Sequence, residues 1–278
     1  MTFEFSAPGQ IVFGWGTLEQ AGPLASRLGR RALVVTGGQP ERAERLLGIL
    51  AGHGLHFTLF TQEGEPTVAA VAQAAEEAQE AGCDLVIGFG GGSAIDAGKA
   101  AAALATNEGQ LLDYLEVIGE GKPLARQPLP FVAIPTTAGA GAEATRNAVV
   151  ASPEHAVKVS LRSPLLLPKI ALVDPELTLG LPPAATAATG ADALSQLVES
   201  FVCRRANPVT DALCREGMAR AARSLTRAVE DGQDARAREE MSLAALLSGM
   251  ALANSGLGAV HGFAAALGGI AGAPHGAL

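Results

Sequence analysis

The sequence predicts an α/β domain built on a parallel sheet, followed by an all-helical domain. Three observations carry this expectation. Apolar strand-like runs alternate with periodic helix-like segments up to about residue 180. Several of the strand-like runs end in glycines, as strands do where a chain turns into a helix over a ligand. After Pro183 the pattern turns almost wholly helical. The expected division is therefore 1–180 for the α/β domain and 181–278 for the helical one.

Taken in order, RALVVTGG reads as a buried strand ending in glycines, and ERAERLLGILAGHG as a helix stopped by glycine. HFTLF is a strand and TVAAVAQAAEEAQEAG an amphipathic helix. DLVIGFGGG is a strand that opens into the helix SAIDAGKAAAALATN, and LPFVAIPTT is a further strand running into a loop. Alternation of this kind gives a parallel sheet covered by helices on both faces, with a binding crevice at the carboxyl ends of the strands. In the second part, Asn207 is a helix cap and Pro208 suits the first turn behind it. ARAREEMSLAALLSGMALANSG makes another helix, and AVHGFAAALGG begins a last one.

Composition narrows the function classes. The formal charge is -8 and the basic residues are unclustered, which argues against a nucleic-acid groove. No apolar run reaches the roughly 20 residues of a membrane span, so no membrane partner is expected. The N-terminus lacks the basic-then-apolar order of a signal peptide. Cys83, Cys203 and Cys214 are an odd number and form no CxxC, which points to a reduced, cytoplasmic protein.

Two loops carry the chemistry. In GFGGGSAIDAGK the amides of Gly91, Gly92 and Ser93 would face the crevice at a helix N-terminus, where an anion such as a pyrophosphate is favoured. Ser93 and Asp96 also have the spacing of a capping box, the plainer reading of those two side chains. Neither this loop nor TGGQPE is a GxGxxG fingerprint. PTTAGAGAEAT again follows a strand and offers hydroxyls and exposed amides. Two such loops at one end of a sheet favour a nucleotide site.

With His261 and His275 added, the chain resembles the iron-containing (group III) alcohol dehydrogenase family, whose fold is dehydroquinate synthase-like. The matching stretches are GGGSAIDAGK, IPTTAGAGAEAT, DPELTLGLPP, ATGADAL, ANPVTD, VHGFAAALGG and APHG, in the family's order. The resemblance implies NAD or NADP in the cleft between the domains, beside a divalent metal, iron first and zinc also accepted. It implies an oxidoreductase that interconverts a small alcohol and an aldehyde or ketone by hydride transfer, with the metal acting on the substrate oxygen. It assigns Gly91, Gly92, Ser93 and Asp96 to the pyrophosphate loop. Thr136 and Thr137 become cofactor contacts, and Asn147 and Lys158 polar residues near the nicotinamide ribose. Asp192, His261 and His275 are three of the four metal ligands. A homodimer is the expected assembly.

The departures from the family are specific. Where the family has a histidine four residues after the aspartate, this chain has Gln196, a neutral and weaker donor on the same helix face. A proton-transfer histidine common in relatives is replaced by Ala265, so no catalytic base is assigned. Gly37 replaces an acid that would bond the ribose hydroxyls and repel a 2′-phosphate, which admits NADP. Arg42 and Arg45 are read as a solvated helix face. Relatives continue past PHG, and if helices are missing the apolar face of 245–267 is expected to be exposed, unless another subunit covers it. Two alternatives follow: a maleylacetate reductase-like enzyme, or a truncated relative that binds nucleotide without turnover.

Overall fold

The computed structural model describes residues 2–271 and 276. A six-stranded sheet carries the first part of the chain. Its strands are β1 (Gln10–Phe13), β2 (Arg31–Thr36), β3 (His56–Thr61), β4 (Leu85–Gly90), β5 (Phe131–Pro135) and β8 (Ile170–Val173). Every pairing is parallel, in the order β1-β8-β5-β4-β2-β3. A two-stranded antiparallel hairpin, β6 (Asn147–Ser152) and β7 (Val157–Arg162), stands apart from it.

Alternate residues of each strand serve opposite faces. Ala32, Val34, Leu85, Ile87, Val132 and Ile134 meet α1 (Ala21–Ala25) and α2 (Glu44–Gly52) through Leu24, Leu46 and Leu50. Leu33, Val35, Val86 and Ala133 face the other way, onto α3 (Val68–Glu80) and α4 (Gly92–Leu104). Helices therefore cover both faces, as the alternation requires. A single-turn α5 (Leu111–Tyr114) joins the smaller core around the hairpin.

Helix α4 lies unusually tight on the sheet. A Cβ at Gly88 or at Gly98 would each come within 2.8 Å of the Phe131 ring. Two glycines and a run of alanines let the helix axis approach β4, and this fixes where its N-terminus points.

The chain leaves β2 for β3 on one side and returns to β4 on the other. The strand order thus reverses between the carboxyl ends of β2 and β4, the switch point where open α/β sheets bind ligands. Gly37 and Gly90 meet there: a Cβ on Gly90, at φ +155°, would stand 3.2 Å from the Gly37 nitrogen.

From Pro183 onward, among the described residues, the structure is helical: α6 (Pro183–Val202), α7 (Pro208–Glu230), α8 (Ala235–Ser255) and α9 (Ala259–Ala271). Asn207 caps α7 as expected: its Oδ1 accepts from the amides of Val209 and Thr210 at 3.1 and 3.2 Å, and Thr210 Oγ1 accepts from the Asn207 amide. Small residues dominate the contacts between α6, α7 and α8, with Ala193, Ala221, Ala237, Ala244 and Ala245 at the centre.

The expected exposure of 245–267 is corrected in part. Ala245, Leu246, Ser248 and Ala251 are buried, because α8 packs against α6, α7 and the loop after β5. Exposed large apolar side chains lie instead on α6, at Val198 and Val202, and on α9, at Val260, Phe263 and Leu267. No single helix among the described residues is long and apolar enough to cross a membrane.

Candidate active site

A cavity of about 520 Å³ lies between the carboxyl ends of β4 and β5, the hairpin, and the inner face of α6. Its walls carry most of the residues the sequence singled out. Gly92, Ser93, Asp96, Thr137, Asn147 and Lys158 line one end; Asp192, Gln196 and His261 line the other.

At the first end, Gly91 is the N-cap of α4 and supplies no side-chain cap. The capping-box reading of Ser93 and Asp96 is therefore corrected. Ser93 lies inside the first turn, and Asp96 Oδ2 accepts instead from the Val149 amide at 3.0 Å, tying α4 to the hairpin. The first-turn amides keep their donors for a ligand, and a Cβ at Gly92 would meet nothing within 4 Å. A thirteen-residue helix ending in open amides beside a cavity suits an anion. Thr136 does not line the cavity. It is buried, and its amide donates to the Gly90 carbonyl at 2.9 Å, which fastens the second loop to the first.

Behind this end lies a buried charged cluster the sequence reading did not find. Lys99 Nζ faces the carbonyl oxygens of Ala142, Thr145 and Asn147 and the Thr145 hydroxyl, all within 3.2 Å. Burial pulls the Lys99 ammonium below its usual range and pushes the Asp96 carboxyl above its own, while each partly restores the charge of the other. Burial also raises Glu143 to about 7. Lys99 thereby anchors the segment that carries Asn147. Lys158, its side chain 7% exposed, pairs with Glu65 at 3.0 Å across the cavity wall.

At the far end, Asp192 and Gln196 stand one turn apart on α6. His261, from the first turn of α9, places Nε2 3.1 Å from Asp192 Oδ1. His275 lies outside the described residues. Among the described residues no three His, Cys, Asp or Glu side chains converge as a metal cluster.

A metal is nonetheless chemically suited to this end. Gln196 is 2% exposed and its Oε1 is buried with no hydrogen-bond partner among the described residues. An orphaned amide oxygen of this kind costs on the order of 1–3 kcal/mol unless something satisfies it. Donors bound about 2.0–2.1 Å from one ion stand roughly 3 Å apart, as Asp192 Oδ1 and His261 Nε2 do. The other ring nitrogen, Nδ1, lies 2.7 Å from Glu199 Oε2. Burial alone would lower the His261 pKa, but the two carboxylates outweigh it and raise it.

The remaining expectations fall as follows. Arg45 is exposed and pairs with Glu19 and Glu176, and Arg42 bonds the Leu177 carbonyl, so both are engaged on the surface. A Cβ at Gly37 would meet nothing within 4 Å. Cys83, Cys203 and Cys214 are free thiols.

Comparison with known proteins agrees with this layout. Residues 8–175 match the model of a family described as iron-containing alcohol dehydrogenase, and residues 186–278 match its C-terminal domain. Alcohol dehydrogenase 4 of Schizosaccharomyces pombe is 38% identical over 277 residues, covering 98% of this chain and 65% of the relative. The crystal structure of a 1,3-propanediol oxidoreductase superposes with a TM-score of 0.94 at 36% identity, over 99% of this chain and 72% of that one. Sulfoacetaldehyde reductase of Bifidobacterium kashiwanohense, solved with NAD+, gives 0.92 at 32% identity over 99% and 73%. The chain spans between 60% and 72% of the length of eight curated relatives that it matches.

Proposed function

The chain belongs to the iron-containing alcohol dehydrogenase family, and from that premise we propose that it interconverts a small alcohol and its aldehyde or ketone, using NAD or NADP beside a divalent metal. When bound, the nicotinamide supplies hydride transfer and the metal polarises the substrate oxygen.

The chain's own residues divide the remaining work. Gly91, Gly92 and Ser93 present helix-terminal amides to the pyrophosphate, and Thr137 lies beside them. Asn147 and Lys158 orient the ribose and nicotinamide end, with Asp96 bracing the hairpin that carries them. Asp192, Gln196, His261 and His275 hold the metal, iron first with zinc accepted, the amide oxygen standing where an imidazole would otherwise be. Gly37 puts no acid at the end of β2, which favours acceptance of a 2′-phosphate. Ala185, Ala188, Leu252 and Leu257 give the cavity small and apolar walls, which suits a small substrate. Three free thiols fit a cytoplasmic setting, and the exposed apolar side chains of α6 and α9 fit a dimer.

The observation that carries this reading is the buried Gln196 oxygen, unpartnered among the described residues, in one cavity with Asp192, His261 and the N-terminus of α4. One other reading has an observation in its favour. Gln196, a neutral amide where the family has an imidazole, favours a relative that binds nucleotide without turnover. Metal content of anaerobically purified protein, with NADH and NADPH binding on the same sample, separates them. About one ion per chain, lost in His261→Ala, supports the oxidoreductase. Nucleotide binding with no metal after iron or zinc supplementation refutes it. Reduction of simple aldehydes, rather than of dicarboxylic keto acids, separates it from a maleylacetate reductase-like enzyme.

A further inference from the structure

His261 is held from behind by a carboxylate that the metal site itself does not contain. Glu199 Oε2 lies 2.7 Å from His261 Nδ1 and also accepts from the His261 amide at 3.3 Å. Its other oxygen accepts from the Val260 amide at 2.7 Å. Both side chains are nearly closed to solvent, at 8% and 11% exposed. Burial raises the Glu199 pKa, but the Gly258, Val260 and His261 amides and the imidazole outweigh it and keep the carboxyl below its ordinary value.

Asp192, Gln196 and Glu199 are spaced i, i+4, i+7, which places all three on one stripe of α6. A single helix face thus presents two oxygen donors to the ion, one carboxylate and one amide, and a second carboxylate to the back of the imidazole. Gly258 makes this approach possible. It precedes α9, and a Cβ there would stand 2.7 Å from Glu199 Oε1. A helix that needed only an N-cap would carry Ser, Thr, Asp or Asn at that position. Here the position is bare, and the oxygen comes from another helix, with a bond to the ring as well as to the amides.

We infer that Glu199 is a positioning residue for the proposed metal centre: by accepting the Nδ1 proton it fixes the His261 tautomer and turns the Nε2 lone pair toward Asp192 and Gln196. The inference rests on the metal reading above. A carboxylate behind a ligating imidazole also raises its basicity, and losing such a partner costs roughly 10–100-fold in metal affinity. The effect matters more here because Gln196 is a weaker donor than an imidazole.

Glu199→Gln is the direct test. Its amide is nearly isosteric and keeps one oxygen for the α9 amides. Its N–H donates to Nδ1, which forces the ring proton onto Nε2 and blocks ligation. Zn²⁺ and anaerobic Fe²⁺ affinities are measured by equilibrium dialysis against a chelator. The tautomer of the metal-free protein is read from imidazole ¹⁵N shifts at alkaline pH, where the ring is neutral. The expected result is roughly 10–100-fold weaker binding and a switch from the Nδ1–H to the Nε2–H form. Gly258→Ala, which leaves the carboxylate intact but displaces it, is expected to weaken binding by about threefold or more, a smaller loss of the same kind. It carries the test if the first variant does not fold. Wild-type affinity in the variants, with or without a loss of thermal stability, reduces Glu199 to a helix cap and overturns the inference alone. No metal binding by the wild-type protein overturns both it and the metal reading.

Discussion

The second cofactor loop is pressed against α8 backbone to backbone, so one methyl group there should damage both stability and the site. Gly141 has φ +62°, and a Cβ at Gly249 would stand 2.1 Å from the Gly141 oxygen and 2.8 Å from its carbonyl carbon. Nothing in that contact is a flexible side chain, so Gly249→Ala must drive the loop and the helix apart by about 1 Å to restore normal van der Waals separation. Overpacking of this kind costs typically 1–3 kcal/mol, and the rigid partner argues for the upper end, about 3 kcal/mol. With an unfolding entropy near 2.1 cal/mol/K per residue, a chain of this length should lose about 5 °C in Tm. Thr137 rides on the same loop, so NADH affinity should fall in parallel by about tenfold, or ~1.4 kcal/mol. Differential scanning calorimetry gives the first quantity and fluorescence titration the second. An unchanged Tm would refute the claimed close approach. A lowered Tm with unchanged NADH affinity would refute the link between this packing and the site.

Further predictions address the charges and the donor set. Gln196→His replaces an amide with an imidazole and should raise Zn²⁺ affinity at least about tenfold in competition dialysis; unchanged affinity would mean that position 196 does not reach the ion. Lys99→Met leaves the Ala142, Thr145 and Asn147 oxygens unpaired and Asp96 uncompensated, and should destabilise by about 3–5 kcal/mol in urea unfolding; a loss below about 1 kcal/mol would show the ammonium to be unimportant there. Glu143, raised from 4.5 to about 7 by burial, binds more protons folded than unfolded between those values. Its contribution is therefore present at low pH and fades as pH rises through 7, by about 3 kcal/mol in all; Glu143→Gln should shrink the stability difference between pH 5 and pH 8, and an unaltered difference would remove Glu143 as its source. Gly37→Asp should weaken NADPH binding about tenfold or more relative to NADH; an equal effect on both would show that the carboxylate does not face a 2′-phosphate.

Some features were legible because their causes are local. Val34 and Leu33 point to opposite faces simply because a strand alternates, and the glycine stops after α2 and α3 follow from backbone freedom. Asn207 and Pro208 announced the start of α7 without any tertiary information. The hairpin β6–β7 went unread although its signal was present: NAVVAS and VKVSLR alternate and are separated by a proline turn with Ala156 at φ +50°. The edge strand β1 and its neighbour β8 were missed because each has only four residues.

The sequence by itself determined the α/β-then-helical order, the glycine loop at a strand end, and the pairing of Asp192 with Gln196 on one helix face. Each is set by spacing along one element or by the conformational freedom of glycine. Only the tertiary structure decided that Asp96 braces the hairpin rather than capping α4, that α8 is buried while α9 exposes Phe263, and that Glu199 stands behind His261. These depend on which distant segments meet: the bond from Glu199 to His261 joins residues 62 apart in the chain. No local pattern encodes that distance; it follows from how α6 and α9 pack around the cavity.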